Sequence, residues 1–294
     1  MADDIPLIDL TADPATLAGA VDHALRTSGF LLVTGHGIDP EVTADLRAAA
    51  LDFFHGDAKE PYRVPGPGGS GWLPSGAEAN AYTLGIETPP DLKESFVLPK
   101  TAWVEHPTLT APARAWETAA AQVADELHGL LATSLGDDHV IAEATAEADH
   151  TLSMTWYPPR AEVGEPKPDQ WRIGPHTDFG TITLLDRQPG EGGLQVQRAD
   201  GTWIDAPYEP GALTVNIGDL MARWTGDRWR STMHRVLPPP AGQPAEELLS
   251  IILFVEANLD ALIETFPPPI GGGTTYEPVT CGDYLRGRLE AITV

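Results

Sequence analysis

The sequence predicts a mainly β protein with flanking helices, on three observations. Beyond about residue 150, short β-prone stretches follow one another with turn residues between them: LSMTWY, TITLLD, GLQVQ, TWIDA, ALTVNIG, STMHRVL and LSIILFVEA. No helical pattern alternates with them, so they indicate a sandwich or barrel rather than a parallel sheet. Ahead of residue 136 helical periodicity dominates, and it returns after Thr280.

Each element follows from local chemistry. IPLIDL, residues 5–10, is a short apolar run suited to a strand. Asp13-Pro14 opens an amphipathic helix reaching about Arg26, with Leu17, Val21 and Leu25 at helical spacing. GFLLV, residues 29–33, is a buried strand by composition, closed by Gly35 and Gly37. Asp39-Pro40 starts a second helix that ends in Phe53-Phe54. Residues 61–76 are rich in Pro and Gly without a period, which predicts a loop and a candidate lid. Residues 112–135 carry the longest helical pattern, stopped by Gly136. Tyr284, Leu285 and Leu289 mark a closing helix. The expected organisation is a helix-rich amino-terminal region, 1–110, packed on the core. Residues 111–294 then supply the long helix, the β core and the carboxy-terminal helix.

Composition narrows the partners. Asp and Glu total 43 against 18 Lys and Arg, a formal charge of −25. Such a chain repels phosphate backbones and anionic bilayers, so neither nucleic acid nor membrane is an expected partner. A single cysteine, Cys281, excludes an internal disulfide and any cysteine-rich zinc module. MADDIPLIDL is acidic where a signal peptide is basic, and no apolar run approaches the ~20 residues of a membrane span. A cytoplasmic, monomeric protein is expected.

Two motifs are set aside. Residues 66–71, GPGGSG, match G-x-G-x-x-G, but Pro65, Pro67 and Pro74 leave no strand before it and no helix start after it. His55-Gly56-Asp57 ends a helix at a loop, where both side chains are ordinary surface residues. His176-Thr177-Asp178 differs by context, because in a β stretch side chains two apart share a face. His234, in STMHRVL, lies 56 residues beyond Asp178 and supplies a second imidazole. Two imidazoles and one carboxylate on one side of a metal form the facial triad of non-haem Fe(II) oxygenases. By spacing alone, two satisfied core histidines remain an equal reading. The remaining histidines lack a partner at ligand spacing. Trp72, Trp224 and Trp229 are candidates for a pocket wall, with core packing the more ordinary role.

At these residues the chain resembles a known family. WRIGPHTDFGTITLLD, GGLQV and TWIDAPYEPGALTVNIGDLMARWTGDRWRSTMHRV are similar to the isopenicillin N synthase-like branch of the Fe(II)/2-oxoglutarate-dependent dioxygenases. IPLIDL, GFLLVTGHGI and DLKESFVLP resemble that branch's leading helical region, and YEPVTCGDYLRGRL its closing helix, so nearly the whole chain is covered. The resemblance implies a distorted double-stranded β-helix, or jelly roll, and iron ligands His176, Asp178 and His234. It implies Fe(II), 2-oxoglutarate and O2 as cofactor and co-substrates, with Tyr157 contacting the oxoacid. The implied activity is hydroxylation or desaturation of a small organic molecule. Asp178 as a ligand separates the chain from the halogenating variants.

One position departs from the family pattern. Relatives carry Arg-x-Ser beyond the distal histidine to hold the distal carboxylate of 2-oxoglutarate. Here Ser250 is present, but Leu248 stands where the arginine belongs. Leucine offers neither charge nor donor, whereas a guanidinium binds a carboxylate through two charge-assisted bonds. Three readings follow. Another arginine substitutes, with Arg172, which shares strand parity with His176, and Arg160 as candidates. Alternatively the enzyme is a 2-oxoglutarate-independent Fe(II) oxidase of the oxidative-cyclisation type, or it takes an oxoacid without a distal carboxylate. A non-catalytic jelly-roll binding protein is the reading from outside enzymology.

Overall fold

In chain order the strands of the first half are β1 (Leu7–Asp9), β2 (Phe30–Thr34), β3 (Gly71–Leu73) and β4 (Glu94–Pro99). Helices α1 (Pro14–Thr27), α2 (Pro40–His55), α3 (Thr110–Leu135) and α4 (Val140–Thr145) accompany them. Then come β5 (His150–Tyr157), α5 (Arg160–Val163), β6 (Ile173–His176), β7 (Ile182–Arg187), β8 (Leu194–Gln197), β9 (Trp203–Asp205) and β10 (Leu213–Ile217). The chain continues through α6 (Asp219–Trp224), β11 (His234–Val236), β12 (Leu248–Val255), β13 (Leu262–Ile263), β14 (Val279–Thr280) and α7 (Cys281–Ala291). This computed structural model describes residues 5–66, 68–136, 139–190, 193–238 and 241–292. The first four residues, Pro67 of the glycine-rich stretch and Gly192 of GGLQV lie outside them.

Local signals set the helix ends. The Asp39 side chain accepts from the Glu41 amide with Pro40 at the first turn of α2, and Gly136 closes α3 at φ 69°. An eight-stranded sheet runs β1-β2-β10-β7-β12-β5-β4-β3, faced by a four-stranded sheet β6-β11-β8-β9. Together they form the jelly roll. Phe30 and Leu32 of the large sheet pack with Leu194 and Val196 of the small one.

Strand parity divides the large sheet into two environments. On β12, Leu249, Ile251, Leu253 and Val255 join the core shared with α3, including Trp116, Leu127 and Leu131. Leu248, Ser250, Ile252 and Phe254 alternate with them and line a cavity between the sheets. A strand covered on both faces therefore reads as an almost unbroken apolar run.

The structure corrects several expectations. Residues 61–76 are not all loop: β3 pairs with β4, and the buried Trp72 donates from Nε1 to Glu94 Oε2 at 2.8 Å. Residues 94–99 of DLKESFVLP, expected in a helical lead-in, form a strand whose inward positions face the cavity. Trp224 stacks on Phe266, and Trp229 donates to Asp22 at 2.9 Å. Neither they nor Trp72 line the main cavity. His55 meets Glu247 at the surface, 2.8 Å away.

Candidate metal centre

His176 ends β6, His234 begins β11, and the two are Cα partners in the antiparallel pairing of these strands. Cross-strand partners project to the same face, so the two rings meet with centroids 4.2 Å apart. Asp178 lies two residues past the end of β6. Its Oδ1 is 3.8 Å from His176 Nε2 and 3.7 Å from His234 Nε2. All three side chains are buried, and their donor atoms lie within 4.8 Å of one another.

Neighbouring groups orient each donor. His176 Nδ1 lies 2.8 Å from the Gly174 carbonyl and His234 Nδ1 lies 3.1 Å from that of Thr232. A carbonyl only accepts, so each Nδ1 carries the proton and each Nε2 lone pair is left facing Asp178. Asn216 Nδ2 donates to Asp178 Oδ2 at 2.7 Å, which turns Oδ1 toward the imidazoles. Burial, reinforced by His234, holds His176 well below the ordinary imidazole range, so its ring is neutral at neutral pH. Burial raises the Asp178 carboxyl. The two imidazoles and hydrogen bonds from Asn216 and Thr183 outweigh that and hold it below the usual carboxylate range. Two imidazole nitrogens and one carboxylate oxygen, converging with no lysine or arginine paired to them among the described residues, fit a divalent metal of the Fe(II) type.

Close backbone approach fixes the loop that carries Asp178. A Cβ on Gly180 would sit 2.3 Å from Glu256 Oε2, and one on Gly218 would sit 2.3 Å from the Gly180 carbonyl. The absence of side chains lets this loop cross the ends of β12 and β10, where Asp219 N donates to the Asp178 carbonyl at 2.8 Å. Helix α7 then clamps it. Arg288 Nη2 donates to Asp219 Oδ2 at 2.7 Å and to Thr177 Oγ1 at 3.3 Å, and Ser231 Oγ donates to Asp219 Oδ1.

A cavity of about 860 Å³ opens over the three donors. Tyr157 and Ser250 both line it, and the Ser250 hydroxyl lies near enough to the Tyr157 phenol to offset part of the effect of burial on it. Burial raises the Tyr157 phenol, which keeps it neutral and able to donate. Leu248 packs against Tyr157 and Ile173, closing the wall beside them. Arg172 does not take the role expected of it. It is 1% exposed, does not line the cavity, and donates from Nη1 to Glu246 Oε1 at 3.0 Å and from Nη2 to the Glu246 carbonyl at 3.1 Å. Its charge is thereby already matched. Arg160 pairs with the exposed Glu165.

Sequence reasoning missed Asn216, Arg187, Lys93 and Glu256, all of which line the cavity. The available signal was parity. Asn216 is a polar residue within the apolar ALTVNIG, and Arg187 follows Thr183 at even spacing on β7.

Comparison with known proteins agrees with this geometry. The profile of the 2OG-Fe(II) oxygenase superfamily matches residues 148–256, which span β5 to β12. That of the non-haem dioxygenase in morphine synthesis N-terminal matches residues 5–118. A Validamycin A dioxygenase of Streptomyces hygroscopicus subsp. limoneus is 37% identical over 321 residues, covering 100% of this chain and 88% of that one. The 2-oxoglutarate-Fe(II) type oxidoreductase hxnY of Emericella nidulans is 30% identical, covering 95% and 85%. The crystal structure of a full-length Neurospora crassa protein in complex with alpha-KG and thymine superposes with a TM-score of 0.82 at 29% identity, covering 98% of this chain and 96% of that one. With a His-Asp-His constellation on a jelly-roll wall and relatives matched along its whole length, the chain belongs to the 2OG-Fe(II) oxygenase superfamily, as an Fe(II)- and 2-oxoglutarate-dependent dioxygenase acting on a small molecule.

Proposed function

We propose that His176, Asp178 and His234 hold the Fe(II), that Tyr157 and Ser250 border the 2-oxoglutarate subsite, and that the substrate is a polar molecule bearing hydroxyl or amine groups. The observation that carries the reading is the convergence of three buried donors, each oriented by its own hydrogen bond, beneath a single cavity. Bound Fe(II), with 2-oxoglutarate and O2, supplies the oxidising chemistry that hydroxylates or desaturates. The chain's residues confine the donors to one side, leave the other side open, and surround it with walls that exclude water.

The substrate class follows from the lining. Ser95, Thr155 and Ser153 form a hydroxyl ladder on β4 and β5, with Oγ separations of 3.3 and 3.2 Å. At the far end of β12 stands Glu256, 8% exposed, with Oε2 lacking a hydrogen-bond partner among the described residues. Burial, helped by Asp149 and Asp178, pushes its carboxyl up to about 8. A ligand hydroxyl or ammonium satisfies such a group, where an apolar substrate leaves it unpaired. Validamycin A is accordingly the first compound to assay, since it is named for a relative similar along the whole chain. We further read 1–110 and 111–294 as one catalytic unit, monomeric and cytoplasmic, with no nucleic-acid partner at a formal charge of −25.

Anaerobic Fe(II) titration with 2-oxoglutarate tests the site through the visible charge-transfer band of the chelate. The band is expected in the wild type and lost in His176→Ala and Asp178→Ala. A variant that keeps wild-type Fe(II) affinity removes that residue from the ligand set. Succinate release coupled to loss of validamycin A tests the substrate, and its absence rejects that compound.

A further inference from the structure

2-Oxoglutarate carries two carboxylates, and the one remote from the metal needs a cation on a wall of this cavity, because an unpaired buried carboxylate is costly. Among the described residues, three lysines or arginines line the cavity: Lys93, Arg187 and Arg286. Lys93 is paired with Glu78, and Arg286 on α7 with Asp283. Arg187 differs from both. Its bonds go only to neutral acceptors: Nε donates to Thr214 Oγ1 at 3.4 Å, and Nη2 donates to the carbonyls of Ala206, at 3.1 Å, and Pro207. Nη1 makes no hydrogen bond among the described residues. The side chain is partly buried, and its positive charge meets no carboxylate among them.

Register puts this cation beside the expected subsite. Ser250 on β12 is the Cα partner of Arg187 on β7, and of Thr155 on β5. Partners in antiparallel strands lie ~4.5–5.5 Å apart and project to the same face. The Ser250 hydroxyl therefore shares a wall with the Arg187 side chain. Along β7, Thr183 touches the ligand Asp178, and Arg187 stands four residues further on the same face, ~13 Å of strand. An arginine leaning back along the strand and a five-carbon dicarboxylate together span that gap. Leu248 fills the neighbouring position against Tyr157, and Arg172 lies with its guanidinium 5.6 Å from the same ring. A second guanidinium at 248 would sit close to that like charge.

We propose that Arg187 binds the distal carboxylate of 2-oxoglutarate together with Ser250, so that the anchoring charge enters from β7 rather than from position 248. This rests on the iron site proposed above. It predicts selectivity among oxoacids: 2-oxoglutarate gains from Arg187, while 2-oxobutyrate, which chelates identically but ends in a methyl group, does not.

The test is anaerobic titration of the Fe(II) holoenzyme with each oxoacid, read by the charge-transfer band and by calorimetry. Arg187→Met is expected to weaken 2-oxoglutarate binding roughly 10- to 100-fold and to leave 2-oxobutyrate within about twofold. Unchanged 2-oxoglutarate affinity overturns the proposal, and so does an equal loss for both oxoacids, which would mark Arg187 as structural. Should Arg187→Met fail to fold, Arg187→Lys carries the test. It keeps a charge but loses the planar fork, so several-fold weaker binding of 2-oxoglutarate alone supports the proposal and no change overturns it. A wild type that binds Fe(II) but no 2-oxoglutarate overturns the co-substrate subsite above along with this one. A wild type that binds both, with Arg187→Met unaltered, overturns only this one.

Discussion

Asp178 has two oxygens, and Asn216 decides which one faces the imidazoles. Its amide holds Oδ2 at 2.7 Å, and the residue is 3% exposed, so no water replaces it cheaply. Asn216→Leu is expected to lower Fe(II) affinity by about 10- to 100-fold with the fold retained, as measured by metal titration beside circular dichroism. Glu256 makes a second residue-scale prediction. Its raised carboxyl means that the folded chain favours the protonated acid. Relative to a permanently neutral side chain, wild type carries no penalty below about 4.5 and loses stability as pH rises from there to about 8. Glu256→Gln should therefore leave the metal-free protein unchanged near pH 4.5 and stabilise it by roughly 4–5 kcal/mol above pH 8. Denaturant melts across that range check it, and a pH-independent difference rejects the assignment. The His176, Asp178 and His234 triad was legible because the family resemblance, added to H-T-D and a distant histidine, broke the tie that spacing alone left. Asn216 was not, since one polar residue in a β run looks the same whether it touches a ligand or water.

Helix α7 reaches the metal loop through Arg288, whose guanidinium meets Asp219 and Thr177 between the two halves of the triad. The partners are largely buried, at 23% and 17% side-chain exposure, so the pair is not a screened surface contact. Asp219→Ala leaves Arg288 without its carboxylate and frees the Ser231 and Tyr284 hydroxyls. We expect a loss of about 2–3 kcal/mol and faster amide exchange in α7, with Fe(II) affinity falling as the Asp178 loop loosens. Undisturbed exchange in α7 would show that the latch does not hold the helix. Long elements such as α3 were readable because ten buried positions repeat at helical spacing over 26 residues. Strand β3 was not, because three residues inside a Pro- and Gly-rich stretch carry no period. Only pairing with β4 makes them a strand.

The whole molecule carries 43 acidic against 18 basic side chains, and its few cations are mostly engaged. Arg47 pairs with Asp186, Lys59 with Glu94, Arg172 with Glu246 and Arg228 with Asp22. The surplus negative charge repels itself across the surface. Salt shortens the screening length from about 10 Å at 0.1 M to about 3 Å at 1 M. The melting midpoint is therefore expected to rise by a few degrees between those sodium chloride concentrations, and a flat or falling midpoint would show that self-repulsion is not a significant cost.

Pattern was enough to indicate a β core between helices, and pattern joined to the family resemblance was enough to single out His176, Asp178 and His234, because both rest on residue type and local sequence. The loss of arginine at 248 was equally visible. What compensates for it was decided only by tertiary structure. Arg172 and Arg187 are alike as letters, and parity alone pointed to the one that folding turns away from the cavity. Folding buries Arg172 against Glu246 and sets Arg187 on the rung of Ser250, 63 residues away in sequence. Whether a charge is matched or available depends on which strands become neighbours, and that is a long-range property no local pattern records.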